Sequence, residues 1–183
     1  VRLERGHSVE PPRERALGSL LLFAEVLVHR LEHLVVQLEV DAHEGPVYVP
    51  DEHALYFTTN RPRVAIRRLQ LDGLRFPLEQ SRITTVRADA NVANGMFLDR
   101  DGSLVVCEQG TRTAPARISR VDPATGAAET LVDAFGGFRL NSPNDVVVRS
   151  DRTIWFTDPS YGHLQGFRPE PLAGDDVYRY DPA

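Results

Sequence analysis

Glu44-Gly45-Pro46-Val47-Tyr48, Asn94-Gly95-Met96-Phe97-Leu98 and Asn144-Asp145-Val146-Val147-Val148 are three copies of one motif, set 50 residues apart. Asp51, Asp101 and Asp151 follow in the same register, each leading into a second apolar run. Those runs are Ala54-Leu55-Tyr56-Phe57, Leu104-Val105-Val106-Cys107 and Ile154-Trp155-Phe156-Thr157. Short apolar runs on either side of a polar turn read as hairpins. Asp101-Gly102 is the clearest of the three turns, because glycine takes positive φ at no steric cost. Arg152 stands at the matching place in the third copy, so that turn must differ or carry strain. A further strand in each copy ends in an acidic turn: Leu69 to Gly73, Ser119 to Pro123 and Arg179 to Pro182. Asp72 and Asp122 are again 50 apart, whereas the third copy runs nine residues late. The extra length falls in Tyr161 to Asp176, a Gly- and Pro-rich stretch that reads as a long loop of the kind that borders binding sites.

A repeat of roughly 40 to 50 residues built from short strands is the signature of a β-propeller, one blade per repeat. The expected fold class is therefore all-β, a partial β-propeller of about three blades from a ring of six. Six such blades need on the order of 300 residues, and the chain has 183. The third copy stops partway through its outer strands, at Val177 to Ala183. The expectation is that residues 31–183 form the N-terminal part of a larger propeller, with open sheet edges that do not specify an oligomeric state.

Residues 1–30 are expected to be a tail or helix. Residues 1–15, rich in Arg, Glu and Pro, read as a loose tail. Ala16 to Val28 has the outline of a secretory signal, but Glu25 interrupts its apolar core and no small-x-small cleavage site follows. It reads instead as an amphipathic segment that packs on the first blade, with Leu34 to Val40 as a strand feeding the first motif.

The formal charge of −5 is mild and spread along the chain, so nucleic acid is not an expected partner. No run of 18 or more uncharged apolar residues exists, so no membrane span is expected either. Cys107 is the single cysteine. It excludes an internal disulfide, fits a reducing, cytoplasmic compartment, and reads as an inert buried thiol.

Chemistry concentrates at the heads of the repeats. Antiparallel pairing should set Thr58 beside Glu44, Glu108 beside Asn94 and Asp158 beside Asn144, all at one end of the propeller channel. A carboxylate next to a carboxamide suits orientation of the amide. Glu44, Asn94 and Asn144 all carry side-chain oxygens, which hard cations such as Ca²⁺ accept in sets of six to eight. With one negative charge among them, a further carboxylate is expected from later blades. Zinc is disfavoured because no His or Cys cluster accompanies these positions. His43 is turned to the opposite face by strand alternation. The competing reading is that the heads only cap strand ends, since Asn-Gly is a common turn pair. Spacing alone leaves both open.

The first motif, the Asn94-Gly95 segment ending in Asp101-Gly102-Ser103-Leu104, and Ser142-Pro143-Asn144-Asp145-Val146-Val147-Val148 resemble the gluconolactonase, or SMP-30/regucalcin-like, family. Ile154-Trp155-Phe156-Thr157-Asp158-Pro159-Ser160-Tyr161-Gly162 is similar to that family's third-blade sequence. The resemblance runs from about Asp41 to the end. It implies a six-bladed propeller with one catalytic divalent cation, commonly Ca²⁺ with Zn²⁺ or Mn²⁺ in some members. It also implies a small-molecule substrate, a sugar lactone or related ester, with organophosphate hydrolysis in relatives. By position, Glu44 and Asn144 match metal ligands, and Asn94 matches a residue that binds metal or substrate. The family's essential Asp lies beyond residue 183, so no catalytic base is expected within the chain. Glu108, Asp158 and Thr58 would hold the ligands in place. Tyr161 and His163 in the long loop are candidate substrate contacts, although a loop histidine is more simply solvated. The rival expectations are a non-catalytic propeller binding module and an inactive truncated product.

Overall fold

The computed structural model describes residues 2–5, 41–73 and 80–182. The amphipathic segment expected over Ala16 to Val28 and the strand expected over Leu34 to Val40 lie outside the described residues. Strands are numbered in chain order. The first sheet runs β2 (Ala42–Val49), β3 (Ala54–Thr59), β4 (Ile66–Gln70), β5 (Ile83–Arg87). The second runs β6 (Ala93–Leu98), β7 (Leu104–Glu108), β8 (Arg117–Val121), β9 (Ala128–Val132). The third runs β12 (Val146–Val148), β13 (Ile154–Asp158), β14 (Asp176–Asp181), and its fourth place is taken by β1 (Arg2–Arg5). A ribbon of β10 (Ala134–Phe135) and β11 (Phe138–Arg139) turns through Gly136 and Gly137, whose positive φ values of 58° and 87° suit a tight hairpin. The single α-helix among the described residues, α1, is the short Tyr161–Leu164. The architecture is all-β and antiparallel, as expected. No helix among the described residues is long and apolar enough to cross a membrane.

Within the stretch read as a tail, Arg2–Arg5 forms a strand. Arg2–Arg5 pairs antiparallel with β14, Arg2 opposite Asp181 and Glu4 opposite Arg179.

Burial follows from sheet order. Leu104–Glu108 is buried at every position, because its two faces feed different cores and successive side chains alternate between them. Val106 joins Val47, Ala54, Tyr56, Ile66 and Met96 in one cluster. Val105 and Cys107 join Ile118, Val146, Ile154, Phe156 and Tyr178 in the other. Full burial of each Val, Ile, Phe or Met side chain among them contributes roughly 1.5–3 kcal/mol relative to exposure. Cys107 is buried as expected, and burial raises its thiol well above the ordinary range.

The 50-residue spacing conceals a compensation. Val47 pairs with Tyr56, Met96 with Val106 and Val146 with Phe156. The first inner strand therefore carries one extra residue between its head and its ladder. Register shifts on either side of Glu44 absorb it, where Pro46 has no N–H to offer. The first turn, residues 50–53, is one residue shorter than residues 99–103 and 149–153, which restores the spacing. The latter two turns are otherwise alike. Gly102 and Arg152 donate to Asp99 and Arg149 carbonyls, and Asp101 and Asp151 accept from the backbone and hydroxyl of Ser103 and Thr153. Arg152 therefore keeps the glycine geometry, at φ 70°, and carries the strain.

Candidate active site at the heads of the inner strands

The three heads converge because glycine lets their backbones meet. Gly45 lies against the Asn94 carbonyl, where a Cβ would collide. Gly95 stands against Asn144 in the same way: an added Cβ would come within 2.5 Å of the Asn144 carbonyl oxygen. The Gly95 N–H donates to that same oxygen at 2.8 Å. Gly95 sits within β6, not in a turn, so its role is close approach rather than the turn formation that Asn-Gly suggests. Thr58 is fully buried, and its hydroxyl faces the Glu44 carbonyl at 2.9 Å and the Asn94 carbonyl at 3.2 Å. It ties the first head to the second through their main chains.

The side chains then meet. Asn144 Nδ2 donates to Asn94 Oδ1 at 2.9 Å. That bond assigns the amide orientation, leaving Asn144 Oδ1 with no hydrogen-bond donor among the described residues. The half-buried Glu44 carboxylate likewise makes no hydrogen bond or ion pair among the described residues. Asn94, by contrast, uses its oxygen to hold Asn144. The donors on offer are thus one carboxylate and the Asn144 amide oxygen, with no nitrogen or sulfur among them. Such a set fits a hard cation and does not complete its shell. No group of three His, Cys, Asp or Glu side chains suited to a metal occurs among the described residues, which follows from two of these heads being amides.

The neighbours expected for the heads divide. Thr58 pairs with Glu44 as expected. Glu108 pairs with Ala93 instead of Asn94, because β6 shifts register between Ala93 and Met96. Its buried carboxylate turns to Arg117 at 2.7 and 3.1 Å, Ser119 at 2.7 Å and Asn91 at 3.0 Å, with Arg87 at 3.8 Å. It is satisfied there and makes no hydrogen bond to the Asn94 side chain. Asn144 lies ahead of the β12 ladder, so its N–H donates to the Thr157 carbonyl rather than reaching Asp158. Asp158, fully buried, pairs with Asp176 in the register. Its two oxygens accept the backbone N–H groups of Asn141 and Ser142, each at 2.8 Å. Burial pushes its carboxyl up to about 7, against the pull of those N–H groups and of Arg168.

Tyr161 and His163 are exposed on α1. His163 borders a cavity of about 370 Å³ that Asn141, Ser142, Ser160 and Arg168 also line. Arg168 escaped sequence reading because an arginine in a Gly- and Pro-rich loop carries no periodic signal. It is buried, and its guanidinium donates to the carbonyls of Leu140 at 3.0 Å, Asn141 at 3.0 Å, Thr111 at 2.7 Å and Ala114 at 3.1 Å.

Comparison with known proteins places the chain in a family. Residues 42–183 match the family model described as the SMP-30/Gluconolactonase/LRE-like region. A gluconolactonase from Zymomonas mobilis is 33% identical over 133 residues, covering 70% of this chain and 36% of that protein. Lactonohydrolase oryL from Aspergillus oryzae is 28% identical over 158 residues, covering 79% of this chain and 34% of that one. The solved structure of a gluconolactonase from Xanthomonas campestris superposes with a TM-score of 0.64 at 33% identity, over 78% of this chain and 45% of that chain. The chain therefore spans about a third of the length of the curated relatives it matches. With the family model covering everything from Ala42 onward, the chain belongs to the SMP-30/gluconolactonase/LRE-like family.

Proposed function

We propose that this chain forms part of a metal-dependent hydrolase of sugar lactones or related esters, built as a six-bladed propeller of which the three sheets are three blades. The observation that carries the reading is the Asn144–Asn94 bond at strand heads whose third member, Glu44, has a carboxylate with no hydrogen bond or ion pair among the described residues. Among the described residues the bond leaves the Asn144 oxygen without a hydrogen-bond donor, at the point where three strand heads converge. Polar groups gathered in this way call for a ligand. The relatives named for gluconolactone and lactone hydrolysis support the substrate class.

Glu44 and Asn144 would hold a divalent cation, with Ca²⁺ the best match to an oxygen-only set. Bound there, a cation supplies Lewis acidity toward the ring carbonyl and lowers the pKa of water. The chain's own residues supply placement. Asn94 holds the Asn144 amide so that its oxygen faces away from Asn94. Thr58 locks the main chain of Glu44 to that of Asn94. The net reaction adds water to the lactone carbonyl and releases the ring oxygen as the hydroxyl of the open acid. A further carboxylate would come from the rest of the whole protein.

The test is calorimetric titration of Ca²⁺ into the chain, beside an Asn144→Ala variant, and acid release from glucono-δ-lactone by the whole protein with and without chelator. Saturable binding lost in the variant and chelator-sensitive hydrolysis are expected. Hydrolysis that is absent, or indifferent to both chelator and Asn144→Ala, would sink the reading.

A further inference from the structure

We propose that Arg168 is a positioning residue for Asn144, acting through the backbone that leads into it. Leu140-Asn141-Ser142-Pro143 brings the chain from the β10–β11 ribbon to Asn144, and this segment has almost no ladder of its own. Its carbonyls and N–H groups are instead held from two directions. Arg168 takes the carbonyls of Leu140 and Asn141. Asp158 takes the N–H groups of Asn141 and Ser142. Ser142 is fixed a third way, its hydroxyl donating to the Pro159 carbonyl and accepting the Gly162 N–H at 2.8 Å.

The same guanidinium reaches into the second sheet's loop through Thr111 and Ala114, so one side chain fastens the Asn144 lead to the sheet that carries Asn94. Its stem has a made-to-measure seat: Gly162 lies flat against Arg168 Cγ and Cβ and the Ser142 hydroxyl, where any Cβ would collide. The rest of the insertion is spread over the neighbouring sheets. Arg112 donates to the Gly166 carbonyl at 3.1 Å, and Arg61, from the first sheet's loop, stacks 4.3 Å from the Phe167 ring. Arg168 is the buried contact among these, and a planar fork with five donors is the one cationic side chain that can serve four carbonyls at once.

A difference in Asn144 placement need not involve metal, so the decisive readout is the Asn144 side-chain amide resonance in a ¹⁵N–¹H correlation spectrum of the chain. It is assigned by its loss in Asn144→Ala. Arg168→Met is expected to shift or broaden it, Arg168→Lys to move it less, and Arg61→Ala to leave it in place. The consequence for metal rests on the function proposed above: Arg168→Met should weaken Ca²⁺ binding about tenfold or more, the usual effect of removing a group that orients a ligand. An unmoved resonance in folded Arg168→Met overturns the proposal. Should that variant not fold, Gly162→Ala displaces the arginine without removing it, and an unmoved resonance there overturns it equally. If the unsubstituted chain takes up no Ca²⁺, the hydrolase reading suffers, and the resonance still decides the role of Arg168.

Discussion

Asn144 donates its side-chain amide to Asn94 across 2.9 Å, and this bond decides what each residue has left to offer. Asn94 spends an acceptor, whereas Asn144 keeps its oxygen. Replacing Asn94 with Leu should therefore act mainly through Asn144, weakening Ca²⁺ binding about tenfold. Asn94→Asp retains the acceptor and adds a charge, so it should bind at least as tightly as the unsubstituted chain. Calorimetric titration of both variants checks this; equal weakening by Leu and Asp would mean that the amide of Asn94 is needed for itself.

Gly95 makes the meeting of those side chains possible. A methyl group there would press on the Asn144 carbonyl and on Asp145 backbone, neither of which can swing aside. Gly95→Ala should lower stability by about 1–3 kcal/mol, the range for overpacking a closed site. Gly174→Ala is the control, because its nearest neighbour is a side-chain oxygen of Asp176 at 3.7 Å. Urea denaturation of the pair should show a loss in the first and almost none in the second.

Glu108 serves stability rather than the Asn94 amide. Its carboxylate is 1% exposed and holds Arg117 with two bonds, beside Arg87. Glu108→Gln keeps the volume but leaves two arginines, each about a fifth exposed, without a counter-charge. A loss of about 2–3 kcal/mol is expected. The resonance of the Asn144 amide should stay where it is. A shifted resonance with unchanged stability would reverse this assignment.

Asp158 gives a definite pH dependence. Its carboxyl is raised from 3.8 to about 7, chiefly by burial. Below pH 3.8 the group is protonated in folded and unfolded chains alike. Between that value and about 7 the folded chain keeps a proton that the unfolded chain has released. The folded state binds more protons, so this group's contribution falls as pH rises through that window and is lost above it. Chemical denaturation from pH 4 to 8 should show this component in the unsubstituted chain and not in Asp158→Asn. Parallel curves for the two would refute it.

The repeat, the hairpins and the all-β class were legible from residues 44 to 158 because each depends on neighbours close in sequence. Apolar runs, an aspartate and a glycine or its substitute define a turn wherever they occur. Even the strain at Arg152 could be read from the missing glycine, since the second and third turns share their bonds. The heads were legible too, as oxygen-bearing side chains in one register. Their neighbours were read one residue out at Glu108 and Asp158, because a local shift in β6 and the late start of the β12 ladder are invisible to counting.

Sequence by itself determined the strand-turn-strand units and the choice of Glu44, Asn94 and Asn144 as a group, since periodicity and turn chemistry are local properties. Tertiary structure alone decided how that group is used. It set Asn144 against Asn94, drew Glu108 away to Arg117, brought Arg2–Arg5 onto the edge of β14 and sank Arg168 among four carbonyls. Each of these joins positions distant in the chain or shifts a register by one residue. A hydrogen bond is made or lost over less than an ångström, and only the folded backbone sets distances that finely.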